Sequence, residues 1–361
     1  MIGGFLGAGK TTAVARLARR LSDRGLRVGL ISNDQSHGLV DTAILRSKGF
    51  AVEEIAGGCF CCRFNSLLEA ATKLTRETRP DVFVAEPVGS CTDLVATVSY
   101  PLRRIYGDRF EIAPLSVMVD PIRAARVLGL EKGRVFSEKV VYVYRKQLEE
   151  ADVIVVNKAD ATEPALRERL VAALGEAFPR ARVHACSAKE GGGLDAWFDD
   201  VMRPREGESA ALDLDYDRYA EGEALLGWLN ATARVAAGAP FDGNAALLRL
   251  GRSIRDALAR HGAEIAHLKM TLDAGGMLSV VSLVRNDGEP DLRESLLDRV
   301  DGGELVVNLR AEADPDLLRT AVQDALGALV RSEEGIRATM EHLEHFRPRR
   351  PEPTHRMGDA P

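Results

Sequence analysis

Gly3-Gly4-Phe5-Leu6-Gly7-Ala8-Gly9-Lys10-Thr11-Thr12 stands at the start of the chain. From Gly4 to Thr11 it fits G-x-x-x-x-G-K-[ST], the pattern of a loop whose backbone N–H groups, relieved of Cβ bulk, turn inward on an oxygen-rich anion. Gly4, Gly7, Ala8 and Gly9 form the cradle. Lys10 is placed to reach the β- and γ-phosphates of a nucleotide, Thr11 to offer its hydroxyl to Mg²⁺, and Thr12 to extend the cradle into a helix. The helix that begins near Lys10 adds its positive end beneath the phosphates. Such a loop follows a strand of ~5 residues. Only Met1 and Ile2 precede Gly3 here, so the first strand reads as truncated, and the expectation is that the true start lies upstream of Met1.

Working outward, strands are predicted at Leu26–Ser32, Phe50–Ile55, Asp81–Ala85, Leu115–Val119, Val153–Val156 and Arg182–His184, with helical patterns between them. That alternation predicts an α/β fold of the P-loop type: a mostly parallel sheet, helices on both faces, ligands beyond the C-terminal strand ends. The nucleotide-binding P-loop domain is expected over 1–203, a polar linker over 204–214, a smaller α+β domain over 215–346, and an extended, solvated tail over 347–361. In the second domain helices are expected over Ala220–Ala237, Ala245–Arg260 and Asp314–Val330. A hairpin is expected from Glu264–Leu272 and Met277–Val284, with a further strand at Glu304–Leu309.

The chain has 361 residues, 45% hydrophobic and 28% charged, with a formal net charge of −6. An acidic balance argues against a general nucleic-acid binder, whose affinity rests on clustered Lys and Arg. No apolar run approaches the ~18 residues of a membrane span, and the first residues lack the apolar centre of a secretion signal. A cytoplasmic location is the expectation.

Asn157-Lys158-Ala159-Asp160 follows the strand ending at Val156, where an N-K-x-D motif selects a purine base. Asp160 can accept from both N1–H and the exocyclic amine of guanine, whereas adenine would leave it unpaired. Asn157 braces the loop and the stem of Lys158 covers the ring. Ser187-Ala188-Lys189, after the next strand, completes the base pocket. GTP is therefore expected over ATP, with GDP as product. Glu86-Pro87-Val88-Gly89 ends another strand on the phosphate side. Glu86 is a candidate for the Mg²⁺ water shell or for orienting the attacking water, and the Gly89 N–H for the γ-phosphate. Asp34 is a second Mg²⁺ candidate, at the head of a proposed switch loop over Gln35–Asp41 that contains His37. Asp120 reads as a cap.

Cys59-Phe60-Cys61-Cys62, introduced by Gly57-Gly58, places three soft ligands within four residues. They suit Zn²⁺, or alternatively Co²⁺ or Cu⁺, with a coordination position left open. The flanking glycines suggest an exposed loop carrying a transferable metal, with Cys91 as the candidate fourth ligand if the site is closed. His342 and His345 are expected at i, i+3 on a helix face, the ordinary charged-face reading being preferred.

Together these motifs resemble the CobW-type GTPases, in the family that also holds the GTPases maturing nickel hydrogenase and urease. The resemblance spans about residues 1–200. It implies a dimerising or client-binding GTPase of low turnover whose C-x-C-C site loads Zn²⁺, Co²⁺ or Ni²⁺ and whose GTP hydrolysis delivers the metal to a client metalloprotein. Glu86-Pro87-Val88-Gly89-Ser90-Cys91 departs from the usual E-T-S/T-G. Asn33-Asp34 is closer to the urease-type members, and no Glu- or His-rich metal store follows. The alternatives are a GTP-gated regulatory protein with a structural zinc clip and an ATP-using kinase, the latter opposed by Asn157–Asp160.

Overall fold

The computed structural model describes residues 1–33, 42, 45–46, 48–107, 110–203, 211–332 and 335–358. Asp34, the segment 35–41 with His37, and residues 204–210 of the expected linker lie outside them. The chain divides into two compact units, Met1–Gly222 with Arg350–Pro361, and Glu223–Arg349. No helix among the described residues is long and apolar enough to cross a membrane.

Among the described residues of the first unit every strand pairing is parallel. β1 (Ile2–Gly4), β5 (Ser116–Val119), β6 (Val153–Val156) and β7 (Arg182–Ala185) form one sheet in that order. β3 (Ala51–Ile55), β2 (Val28–Asn33) and β4 (Val82–Glu86) form another. β1 is three residues long and pairs in register with β5, Ile2 against Ser116 and Gly4 against Met118. It lies against β4 without joining it in a ladder, and there the sheet divides. The six strands expected from Leu26 to His184 are present, their ends shifted by at most two residues.

Strands this buried draw their stability from apolar packing on both faces. Helix α1 (Lys10–Asp23) turns Ala13, Val14, Leu17, Ala18 and Leu21 into a core with Leu30, Val84, Met118, Val155 and Trp197. The Trp197 indole N–H donates to Ser116 Oγ at 2.9 Å, so the largest side chain of that core leaves no polar atom unsatisfied. Helix α2 (Phe64–Glu77) follows the cysteines, and α3 (Tyr100–Tyr106) continues a π turn over Val95–Ser99. Helices α4 (Pro121–Val127), α5 (Glu138–Glu149), α6 (Pro164–Ala177), α7 (Leu194–Val201) and α8 (Tyr216–Ala224) complete the order.

The second unit is a six-stranded antiparallel sheet in the order β11 (Asp291–Glu294), β10 (Met277–Leu283), β9 (Glu264–Ala274), β12 (Val300–Glu312), β8 (Leu226–Phe241), β13 (Arg337–Phe346). Two helices, α9 (Gly243–Arg260) and α10 (Pro315–Ser332), join its core. The β9–β10 hairpin and both helices stand where expected. Two readings are corrected. Most of the segment expected as a helix over Ala220–Ala237 is strand β8, where Leu229, Ala231, Ala233 and Val235 alternate into the core and hydrogen bonds run to β12 on one side and β13 on the other. Alanine's helix propensity loses there to period-2 burial between two strands. His342 and His345 lie on β13, so the expected helical i, i+3 pair does not form. Residues 350–358 are extended and largely exposed, as expected of the tail, yet they are hydrogen-bonded to the first unit beside the cysteine loop.

Candidate functional site

The candidate nucleotide site lies at the C-terminal ends of β1, β4, β5, β6 and β7. Gly7 and Gly9 hold φ of 79° and 92°, the left-handed region that glycine adopts without strain. A Cβ at Gly9 would collide with Asn157 Nδ2, so this glycine is required by close approach as well as by conformation. Lys10 and Thr11, the first residues of α1, are both 7% exposed. Thr12 faces outward. Thr11 Oγ1 donates to Glu86 Oε1 at 3.1 Å, which brings together two of the oxygens expected near Mg²⁺. A hydroxyl and a carboxylate at the foot of a phosphate loop are hard oxygen donors of the kind that ion takes. Gly89 packs on the same loop, its Cα so close to Leu6 that a Cβ would lie 2.7 Å from Leu6 Cδ2.

The base-side motif is tied to the phosphate loop. Asn157 Nδ2 donates to Ala8 O at 2.9 Å, while its Oδ1 accepts from Ala188 N at 2.9 Å. One amide thus joins the phosphate loop to the Ser187–Lys189 loop. Lys158, itself at a φ of 57°, sends Nζ to Gly7 O at 2.9 Å and to Asp120 Oδ2 at 2.8 Å. Asp120 Oδ1 caps α4 by accepting from Arg123 N at 3.0 Å, so the expected cap also anchors the lysine. Ser187 Oγ accepts from Glu190 N at 2.9 Å, turning the loop back, and Lys189 is exposed. Asp160 lies in a single 3₁₀ turn, Ala159–Ala161, with its carboxylate exposed. Cys186 packs behind Asn157, its Sγ 4.0 Å from Oδ1, and burial pushes its thiol up to about 12.

Several supporting residues carried no sequence signal of their own. Arg123, 6% exposed, donates to Leu6 O at 2.7 Å with its guanidinium over the rings of Phe5 and Phe136. Gln147 in α5 donates to both Gly89 O at 3.0 Å and Cys91 O at 2.8 Å. Arg16, nearly two turns into α1, donates to Ala188 O at 3.2 Å. Gln147 shares the buried face of α5 with Val140, Val143, Tyr144 and Leu148, and its polar end is satisfied by the Gly89 and Cys91 carbonyls.

The cysteines sit between β3 and α2. Asn33, the last residue of β2, donates to Ile55 O at 2.9 Å and to Gly58 O at 2.7 Å, and so holds the loop by its glycines. Cys59 O accepts from Cys62 N at 3.1 Å and Arg63 N at 2.9 Å, winding the three residues into the start of α2. Their sulfurs converge: Cys59 to Cys61 is 2.7 Å, Cys59 to Cys62 is 3.3 Å, and Cys61 to Cys62 is 3.6 Å. Among the described residues they are the one group of His, Cys, Asp or Glu that could hold a metal ion. The expected exposure is corrected, because Cys59 and Cys61 are 5% and 2% exposed and only Cys62 is half-buried.

Hydrogen bonds from Cys61, Cys62 and Cys91 hold the Cys59 thiol well below its ordinary value. The same sharing raises Cys61, with burial adding to it, and pushes Cys62 up to about 12. One thiolate is therefore favoured and further ionisation is opposed, as for like charges crowded out of water. A soft divalent cation is what would let all three ionise. Cys91, 2% exposed, reaches Cys59 from the β4 side.

Comparison with known proteins bears on these two loops. The family model described as CobW/HypB/UreG, nucleotide-binding domain, matches residues 1–185. The zinc chaperone YeiR of Escherichia coli (strain K12) is 30% identical over 173 residues, 47% of this chain and 49% of that protein. The zinc chaperone CobW of Sinorhizobium sp is 30% identical over 182 residues, 44% of this chain and 50% of that one. The chain thus spans about half the length of these curated relatives. Among solved structures, the hydrogenase maturation factor HypB from Archaeoglobus fulgidus is 23% identical with a TM-score of 0.37, covering 55% of this chain and 85% of that one.

Proposed function

The chain belongs to the CobW/HypB/UreG family, and on that premise we propose that it is a Mg²⁺-dependent GTPase that carries a transition metal, zinc first, on Cys59, Cys61 and Cys62 and releases it to a client metalloprotein. The observation that carries the reading is the convergence of the three thiol sulfurs within 4.8 Å of one another in the unit that also holds the phosphate loop. The curated relatives named as zinc chaperones support the choice of zinc.

In this reading Lys10 and the inward N–H groups of 7–11 hold the β- and γ-phosphates, and Asp160 reads the guanine edge. Thr11 and Glu86 would hold Mg²⁺, which when bound neutralises charge on the phosphates. Glu86 orients the attacking water, and the Gly89 N–H meets the γ-phosphate. Catalysis is positioning and charge neutralisation, with no covalent enzyme intermediate. β2 links the two sites. Its Asn33 holds the cysteine loop, and β4 beside it delivers Glu86, so a change at the phosphates can be felt at the thiols through one packed strand pair.

The burial of Cys59 and Cys61, with Cys91 in contact, favours a second reading in which four sulfurs close a structural zinc clip and GTP gates partner association. Metal analysis of protein held with a non-hydrolysable GTP analogue and then with GDP separates the two. The carrier reading expects about one zinc per chain in the first state and loss of it to a chelator in the second. Retention in both states, or unfolding on zinc removal, overturns it in favour of the clip.

A further inference from the structure

The C-terminal segment 350–358 has no helix or strand, yet it is bonded along its length to the cysteine loop and its surroundings. Glu352 N donates to Cys62 Sγ at 3.3 Å. Thr354 N donates to Cys61 O at 2.8 Å, and Thr354 Oγ1 to Cys62 O at 3.2 Å. His355 meets the ring of Phe64, the first residue of α2, edge-on at 5.1 Å. Met357 N donates to Ala96 O at 2.9 Å, in the π turn, and Arg104 Nη2 donates to Gly358 O at 3.0 Å. The segment thus touches one thiol, that of Cys62, and is bonded to the backbone carbonyls of Cys61 and Cys62.

Arg356 is the anchor. Its Nε donates to Asp93 Oδ2 at 2.8 Å and its Nη2 to Leu212 O at 2.7 Å, with the guanidinium 5.7 Å from the Tyr216 ring centroid. Asp93 is 1% exposed, and the Tyr216 hydroxyl donates to the same oxygen at 2.7 Å. Asp93 is buried while Arg356 is 38% exposed, so the pair sits at the surface edge and removing the arginine leaves a buried carboxylate without its cation. At the other end Arg350 pairs with Asp217 on an exposed surface, where such pairs are weak. A strap held by one half-buried latch, one exposed pair and a few scattered hydrogen bonds, with no ladder or helix of its own, opens locally at modest cost.

We propose that residues 350–358 are a strap over the cysteines, latched by Arg356 on Asp93, that must lift before metal enters or leaves Cys59, Cys61 and Cys62. The proposal rests on the metal-carrier reading for its purpose but not for its test. In the metal-free full-length chain, alkylation of the three thiols by iodoacetamide is followed by mass spectrometry, against Arg356→Ala and against a chain lacking residues 350–361. Thiol labelling is expected to quicken about tenfold on deletion and severalfold in Arg356→Ala. A synthetic peptide of residues 350–358 added to the shortened chain is expected to restore slow labelling. That rescue distinguishes an uncovered site from a damaged fold. Zinc transfer from the loaded chains to a chelator is measured in parallel and is expected to accelerate in the same order.

Equal labelling rates in the three chains overturn the proposal, as does failure of the peptide to protect or zinc that leaves equally fast with and without the strap. If labelling accelerates as expected but no chain takes up zinc, the cover stands and the metal-carrier reading falls.

Discussion

Two glycine-led loops in the first unit follow parallel strands and run into helices, yet they are built for opposite chemistry. The loop after β1 presents backbone. Its glycines take left-handed φ, and three side chains from two other segments, Asn157 and Lys158 from one and Arg123 from another, bind its outward carbonyls at Ala8, Gly7 and Leu6. The loop after β3 presents side chains. Its backbone is folded onto itself through Cys59 O, and its sulfurs point to one place. A hard phosphate is met by many fixed N–H dipoles and a soft cation by a few polarisable ligands. The same strand–loop–helix frame serves both because the frame fixes position, and the residue types decide what is bound there.

The contrast breaks most visibly if one loop can be disabled without the other. Cys59→Ser with Cys61→Ser is expected to abolish zinc uptake by metal analysis while GTP affinity by calorimetry stays within about threefold, since the substituted thiols sit on the loop after β3 and the phosphates are assigned to the loop after β1. Lys10→Ala is the reciprocal test. GTP turnover is expected to fall by roughly 10²–10³, as when a charge-stabilising donor is removed, with zinc uptake by nucleotide-free protein retained. A matching loss of both properties in either variant would collapse the distinction into one coupled site.

Smaller effects sharpen it. Asp160→Asn is expected to lower the preference for GTP over ATP by about 10², roughly 3 kcal/mol, measured by nucleotide competition. Gly9→Ala is expected to cost about 1–3 kcal/mol in chemical denaturation, because the methyl meets Asn157 Nδ2 and the φ of 92° is strained for alanine. The equivalent change at Gly57, where the nearest atom to a Cβ is the flexible end of Arg63 at 3.1 Å, is expected to cost less.

The smallest effect concerns the frame behind the loops. Glu150, 1% exposed, accepts from Thr92 Oγ1 at 3.2 Å and Val95 N at 3.4 Å. Burial, with the Asp93 charge adding to it, raises its carboxyl to about 8 from an ordinary 4.5. The folded chain therefore keeps a proton that the unfolded chain has lost, and stability falls as pH rises from about 4.5 to 8 and then levels. Glu150→Gln cannot ionise. It is expected to flatten that slope and to gain about 1–2 kcal/mol over the parent at pH 8.5, read from denaturation midpoints across the range. An unchanged slope would place the proton elsewhere.

What could be read from residue order was local. The phosphate loop, the N-K-x-D motif and the cysteine triplet are runs of four to ten residues whose spacing carries their chemistry, and the parallel strands are short apolar runs bounded by turn residues. β8 was hidden because its alanines suit a helix in isolation, and only the neighbouring strands β12 and β13 make period-2 burial the better outcome. The same holds for the histidines of β13. The supporting contacts of Arg123, Gln147 and Asn33 lay out of reach for another reason: a buried side chain's partner is chosen by the fold, and no spacing rule names it.

By itself, then, the residue order determined the parallel α/β frame, the glycine-rich loop before α1, the N-K-x-D segment and a three-sulfur cluster, since each depends on groups close together along the chain. Tertiary structure decided that Asn157 and Lys158 hold the Gly3–Thr12 loop, that Cys59 and Cys61 are buried, and that the last described residues bond to Cys61 and Cys62. Thr354 and Cys61 are almost three hundred residues apart and meet only because the completed unit offers Asp93 as a buried anchor and Cys61 O and Cys62 O as open acceptors. Contacts of that range are fixed by the geometry of the folded surface, where sequence separation has no say.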